Sequence, residues 1–305
     1  MFRGISAAIA ALVIASSVPG ALPTRVSAEP AADCPPGGTV RFGVEPSEAT
    51  ARLTPAYEAL TKALSAKLGC PVDLFITTSY NAEIEAMRSG KLDVAQFGPL
   101  GYVLAHQIAG ADAIATFSDA QGNPSTYTAS IVTYPDSGIK TLKDVAGHSF
   151  AYADPASTSG HLFPAYGLRK AGIDPDHGVK GVYAGSHTAS FEAILNHKVD
   201  AGELNSIQIE AAKNENMWEP NRWVTLWQSQ PIPVDPITVR RDLPPAFKSH
   251  VTDVIQSFTF AGLSPDVVKV FPTKGTRRFV KTTDGAYNPV RDLVKTLNID
   301  LTKLS

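Results

Sequence analysis

The strongest constraint on this chain is a rhythm that starts twice: a short β-branched run, an amphipathic helical stretch, then another β-branched run. In the first block Thr39–Val44 reads as a strand and Glu45–Thr50 as a polar loop. Leu53, Tyr57, Leu60, Leu64 and Leu68 then recur on one helical face, and Gly69 suits the position just past a helix end. A strand over Val72–Thr77, a helix over Ala82–Ser89 and a short buried strand over Leu92–Phe97 follow. The second block predicts strands at Ser149–Tyr152, Gly181–Ala184 and Ala201–Leu204, separated by helices at His161–Ala171 and Ser190–Asn196. Alternation of this kind predicts an α/β fold with mainly parallel sheets flanked by helices. Two extended runs, Tyr127–Tyr134 and Pro231–Val239, join the blocks. They predict two lobes on a hinge, residues 39–130 with 236–305 in lobe 1 and 131–235 in lobe 2. Helical stretches Val251–Phe258, Asp266–Val270 and Arg291–Leu297 are expected to pack back on lobe 1. In open α/β sheets ligands lie beyond the carboxyl ends of the strands, which here is the cleft between lobes.

The first 28 residues read as an export leader. Arg3 supplies a positive start, Ile5 to Val18 is a small Ala-rich apolar run, and Val26-Ser27-Ala28 offers small residues for cleavage. The run is too short for a membrane span. Cys34 follows Ala-Ala-Asp rather than a lipidation sequence, so a soluble periplasmic protein is expected. The formal net charge is -2, and loss of Arg3 and Arg25 with the leader takes it to -4. A mildly acidic chain has no general attraction for nucleic acid or anionic membrane, so any anion must be held by a local site. Cys34 and Cys70 each lie just before a predicted strand. If those strands are parallel neighbours, both cysteines sit at one sheet edge, and an exported chain favours a disulfide between them. No cysteine or histidine has metal-ligand spacing, and no metal or cofactor is expected.

The stretch DPASTSGHLFP places Ser157, Thr158 and Ser159 between a strand and a helix. Such a run could be a nucleophile, a helix cap, an anion cradle or only a polar loop. Pro164 fits a helix's first turn, which puts Ser157–Gly160 at the helix N-terminus, where free N–H groups and the dipole favour an anion. One hydroxyl suffices for a cap; three favour a cradle. Gly185-Ser186-His187 occupies the same place in the next strand-to-helix unit, so His187 is a candidate donor to an oxyanion. Asp154, His161 and Ser157 or Ser159 are the residue types of a Ser-His-acid site, but there is no G-x-S-x-G elbow and His161 would lie inside a helix. No paired carboxylates, P-loop or dinucleotide glycine pattern appears, so a non-catalytic protein is expected.

Several segments in order, among them FGVEPSEA, TTSYNAEIEAMRSGKLDVAQFGPLGYV, ASTSGHLFP, GSHTASFEAILNHKVDAG, IPVDPITVRRDLPPAFK and YNPVRDLVKTLNIDL, resemble the phosphonate/phosphite-binding periplasmic proteins of ABC transporters. The resemblance runs from about Thr39 to the C-terminus. It implies a type II periplasmic binding fold whose lobes close on a small phosphorus oxyanion, acting as a monomer that delivers its ligand to a membrane permease. A sensor subunit for a membrane kinase would use the same pocket. By position the resemblance assigns Ser157, Thr158, Ser159 and His187 to the phosphorus oxygens and brings Tyr80 and Tyr127 to the ligand. It sets Asp235 near the ligand's variable end. Binders of aminoalkylphosphonates carry a glutamate where this chain has Ile207, so phosphite, methylphosphonate or another unaminated anion is expected. Glu203 and Asn205 lie close by, and either could face the ligand.

Overall fold

A computed structural model of the chain describes residues 34–273 and 277–300, together with Met1. The leader read over residues 1–28 lies, Met1 apart, outside them. Among the described residues no helix is long and apolar enough to cross a membrane.

The first sheet begins with β1 (Val40–Val44), β2 (Val72–Ile76), β3 (Val94–Gln96) and β4 (Ala111–Phe117), connected by α1 (Thr50–Leu68), α2 (Tyr80–Arg88) and α3 (Pro99–Ile108). Helix α1 forms because Leu53, Tyr57, Leu60, Leu64 and Leu68 share a buried stripe. Gly69 ends it in the left-handed region, at φ 69°, with its N–H bonded to Ser65 O. After a two-residue strand β5 (Thr126–Tyr127) the chain enters the second sheet, built from β6 (Ala129–Thr133), β7 (Ser149–Tyr152), β8 (Lys180–Tyr183), β9 (Ala201–Asn205) and β10 (Val224–Gln228). A π-helical turn, Thr158–Leu162, runs into α4 (Phe163–Lys170); α5 (His187–Leu195) and α6 (Ser206–Asn214) follow β8 and β9. The chain returns through β11 (Ile232–Pro233), which pairs antiparallel with β5. It then adds β12 (Pro236–Arg240), α7 (Pro245–Ser257), α8 (Pro265–Val268), β13 (Phe279–Lys281) and α9 (Asn288–Thr296).

Both sheets are wired alike. The first runs β2-β1-β3-β12-β4-β13 and the second β8-β7-β9-β6-β10. In each, three parallel strands come from successive strand–helix units, and the strand that has just crossed between the lobes inserts antiparallel in fourth place. The inserted strand enters from the opposite end, so its direction is reversed. Strands β1 to β4 share one direction, and so do β7 to β10, while the edge strand β13 runs antiparallel to β4. The hinge is thus the β5–β11 pair: β11 lies within the second extended run that the sequence marks, and β5 meets the first at Tyr127.

Burial follows the pleat. In the second sheet Ile131 and Phe150 join one apolar cluster while their chain neighbours Val132 and Ala151 join another, on the opposite face. The first sheet and its helices share one large core, to which Phe247 of α7 and Leu293 of α9 belong. Helix α9 also reaches across, where Arg169 Nη1 donates to Leu297 O at 2.8 Å.

Cys34 and Cys70 form a disulfide with Cα atoms 5.9 Å apart. The Val40–Val72 register brings both cysteines to the amino-terminal edge of β1 and β2. Closing a loop of 36 residues removes entropy from the unfolded chain worth about 3–4 kcal/mol. The paired substitution Cys34→Ser with Cys70→Ser is therefore expected to lower the thermal unfolding midpoint by several degrees. Because the bridge lies at the end of the strands away from the cleft, ligand affinity should not change, as titration of both forms would show.

Candidate functional site

Every strand–helix unit of both sheets turns at the same cleft, and the turns enclose a cavity of about 60 Å3. A water needs roughly 10–15 Å3 of such space, so the cavity suits a group of only a few heavy atoms. Tyr80, Tyr127, Ser157, Thr158, Ser159, His187 and Asp235 all line it.

The second lobe supplies a wall of donors. Ser157 caps the π-helical turn, its Oγ accepting the Gly160 N–H at 3.1 Å. Thr158 Oγ1 accepts the N–H of Leu100, from the first lobe, at 2.8 Å. Ser159 Oγ accepts Asn205 Nδ2 at 3.4 Å. The cap and cradle readings are therefore compatible, since the hydroxyl that caps the turn belongs to a residue that also lines the cavity. In all three side chains a lone pair is engaged by the protein, which leaves the O–H hydrogen to point elsewhere. Gly160 is required by packing rather than by ligand approach. A Cβ there would stand 2.5 Å from Ala153 Cβ, 2.8 Å from Ser157 Oγ and 3.0 Å from His187 Cε1.

His187 begins α5, which Ser186 caps by accepting Ala189 N–H. Its Nδ1 lies 2.9 Å from Glu203 Oε1 and its Nε2 3.4 Å from Ser157 Oγ. Burial alone would lower the imidazole pKa. The charge and hydrogen bond of Glu203, aided by Glu48 and Asp235, overrule it and raise the pKa. Glu203 and Asn205 share a strand face, as positions two apart must, but only Asn205 reaches the cavity. Glu203 is fully buried behind the imidazole. Asn205 spends its carbonyl oxygen on the N–H groups of Ile207 and Gln208, which turns its amide toward Ser159. Ile207 lines the rim.

The first lobe and hinge supply the opposite wall. Tyr80 begins α2 behind the cap Ser79, its hydroxyl buried without a protein partner. Tyr57 donates to Gln96 Oε1 at 2.8 Å, and Gln96 Nε2 donates to Asp235 Oδ2 at 3.1 Å. Burial pushes the Asp235 carboxyl up to about 6 against these stabilising bonds. The walls are pinned together across the cleft: His187 N–H to Ser47 O at 2.9 Å, Ala49 N–H to Thr188 Oγ1 at 3.1 Å, and Thr188 Oγ1 to Glu48.

Among the lining residues that escaped the sequence reading are Glu45, Ser47, Glu48, Arg52, Gln96 and Gly98. The signal for three of them was present, since Glu45 directly follows β1 while Gln96 ends β3 and Gly98 lies just beyond it. The rule that ligands lie past strand ends would have found them. Asp154 and His161 do not gather as a catalytic pair. His161 Nδ1 lies 2.7 Å from Pro155 O, while Asp154 Oδ1 accepts Ala156 N–H.

The family model described as the periplasmic substrate-binding protein of a phosphonate ABC transporter matches residues 42–287. The phosphonates-binding periplasmic protein of Escherichia coli is 29% identical over 259 residues, covering 83% of this chain and 75% of that protein. A binding-protein component of a phosphonate ABC transporter from Pseudomonas aeruginosa superposes with a TM-score of 0.74 at 27% identity, covering 84% and 85% of the two chains. PhnD1 of Prochlorococcus marinus, solved in complex with methylphosphonate, has the same fold, with a TM-score of 0.74 at 22% identity over 86% and 98%. With the matched region spanning both sheets and every wall of the cavity, the chain belongs to the phosphonate-binding periplasmic substrate-binding proteins of ABC transporters.

Proposed function

We propose that this protein captures a small phosphorus oxyanion in the cavity between its lobes and, as a periplasmic monomer exported by a cleaved leader, delivers it to the permease of an ABC importer. The observation that carries the reading is the row Ser157, Thr158 and Ser159. Each hydroxyl has its acceptor side occupied by the protein, so each can offer its proton to a ligand oxygen. Neutral donors suit an acidic protein, because inside a closed cavity their hydrogen bonds count for more than in water. The imidazolium of His187 adds a charge-assisted bond. The small cavity and Ile207 at its rim favour phosphite, methylphosphonate or a similar unaminated anion.

Ser157, His187 and Glu203 stand in the order of a nucleophile, a base and its orienting acid. Their electrostatics favour binding instead. A general base needs a free lone pair on Nε2, whereas Glu203, Glu48 and Asp235 raise the pKa of the ring, and Ser157 Oγ is tied to a helix end. Binding without turnover follows.

Calorimetry with phosphite, methylphosphonate and phosphate should show one-to-one binding of at least one of them. The double substitution Ser157→Ala with His187→Ala should weaken it roughly 100-fold or more, from the loss of one neutral and one charged bond. No heat with any phosphorus oxyanion, or an unchanged double variant, rejects the assignment.

The pH dependence has a definite sign. Because the closed state raises the His187 pKa, its contribution to affinity is complete below the ordinary imidazole value of about 6.5 and is lost as pH rises through the elevated one. Glu203→Gln removes the largest raising influence, so the loss of affinity should shift to lower pH, with imidazole NMR shifts reporting the same displacement.

A further inference from the structure

A cavity for an anion should not be lined with carboxylates, yet Glu45, Glu48 and Asp235 all face this one. The two cations in its wall each have a carboxylate partner outside it, Arg52 with Glu215 at 3.5 Å and His187 with Glu203 at 2.9 Å. Glu45 is the most exacting case. It is 4% exposed, it lies against the Gly98 backbone, and its Oε2 is buried with no protein partner. The backbone has been cut to fit this carboxyl: a Cβ on Gly98 would lie 2.8 Å from Glu45 Oε1. Behind it Glu83 is fully buried with neither oxygen partnered, and a Cβ on Gly43 would stand 3.0 Å from Glu83 Oε1.

We propose that Glu45 acts as a neutral carboxylic acid whose O–H donates to an oxygen of the bound anion, so that capture of the ligand takes up a proton. This rests on the reading of the cavity as an oxyanion site and adds a residue that determines which protonation states of the ligand are accepted. The geometry supports it. The carboxyl lines the cavity, and its Oε2 is shut off from water with no partner in the protein, so a full negative charge there would be unsupported. The surroundings act in the same direction. Burial raises the Glu45 pKa first, then the charges of Asp235 from the hinge return and Asp154 beyond β7. Glu83 from α2, itself raised by burial and by Glu45, cannot ionise alongside it. Tyr80 of α2 and Tyr57 of α1 are neutral phenols, their pKa values raised by burial and by these same carboxyls. Glu48 is likewise raised by burial, and its carboxyl meets Thr188. In the open protein water would reach Glu45 and allow it to ionise. Closure on an anion then requires the proton back, and a dianion gains a donor where it would otherwise meet a like charge.

The test is calorimetry of the full protein with phosphite and methylphosphonate near pH 7, in buffers of different ionisation enthalpy, comparing wild type with Glu45→Gln and Glu45→Ala. The amide of Gln can donate without a titrating proton. Glu45→Gln should therefore keep affinity within about threefold of wild type while proton uptake drops by close to one per ligand; Glu45→Ala, lacking the donor, should weaken binding about tenfold. Unfolding midpoints of all variants separate binding losses from misfolding. If wild type binds a phosphorus oxyanion with uptake unaltered by Glu45→Gln, the inference falls while the function stands. If Glu45→Gln abolishes binding and wild type prefers an amine-bearing phosphonate, Glu45 is a carboxylate that reads a cation, which also overturns it. If no phosphorus oxyanion binds wild type, the oxyanion reading fails and this inference with it.

Discussion

The structure depends on one geometric constraint: strand–helix units of both sheets discharge their carboxyl ends into the same cleft. Helices that follow such strands present their N-termini there, with N–H groups that no turn of helix can satisfy. In each lobe three units do this, β1, β2 and β3 on one side and β7, β8 and β9 on the other. The same device recurs across the cleft. Ser79 caps α2 and places Tyr80 in its first position; Ser186 caps α5 and places His187 in its first position. Facing sets of donors make an anion the natural third partner of the two lobes. The chain's negative charge then matters little, because attraction is local and short-range.

Closure is held partly by the same groups. Thr158 accepts an N–H from α3 of the other lobe, and the N–H of His187 reaches Ser47. The bonds that shut the cleft therefore involve the residues that line it. Neutral bonds of this kind contribute about 1 kcal/mol each, so a handful can latch the lobes without locking them. The buried carboxyls oppose this: each must be neutral, paired or facing a donor when water leaves. Asp235 is served by Gln96 and Glu203 by His187. Glu45 and Glu83 are not served by the protein in this way, and that asymmetry distinguishes a binding site from a merely polar core.

Much of this was legible in the sequence, and the failures have physical causes. The doubled rhythm of strands and helices announced two α/β halves, and the extended runs marked the hinge. Helix α3 was not read because PLGYVLAHQI is apolar on nearly all sides and buried, so no stripe separates inside from outside. Strand β4, lodged between β12 and β13, was missed with it. Starts of α2 and α5 were placed too late, since apolar periodicity begins inside a helix while the capping serines and the first-turn residues are polar. Those displaced residues are Tyr80 and His187, so the periodicity was silent at two residues that line the cavity. The hydroxyl row was found from its place between strand and helix. Glu45 was overlooked because a carboxylate beside an anion looks wrong until burial is known, and burial is a property of the closed fold.

The position of Asp235 joins binding to motion. It follows β11, whose partner β5 ends in Tyr127, so two residues of the cavity are part of the hinge itself. The backbone at this point is fastened to lobe 1: Thr116 Oγ1 donates to Val234 O and Asp235 O, and Tyr287 donates to Val234 O. Beyond these anchors β12 is locked into the first sheet, while β6, beginning two residues past Tyr127, is locked into the second. Rotation of the lobes must therefore be absorbed within the few residues that separate the two sheets, where Tyr127 lies. A ligand touching both Tyr127 and Asp235 holds the hinge at its moving part. Its contacts there differ between open and closed states more than contacts to either lobe alone, and only such a difference can shift the equilibrium toward closure.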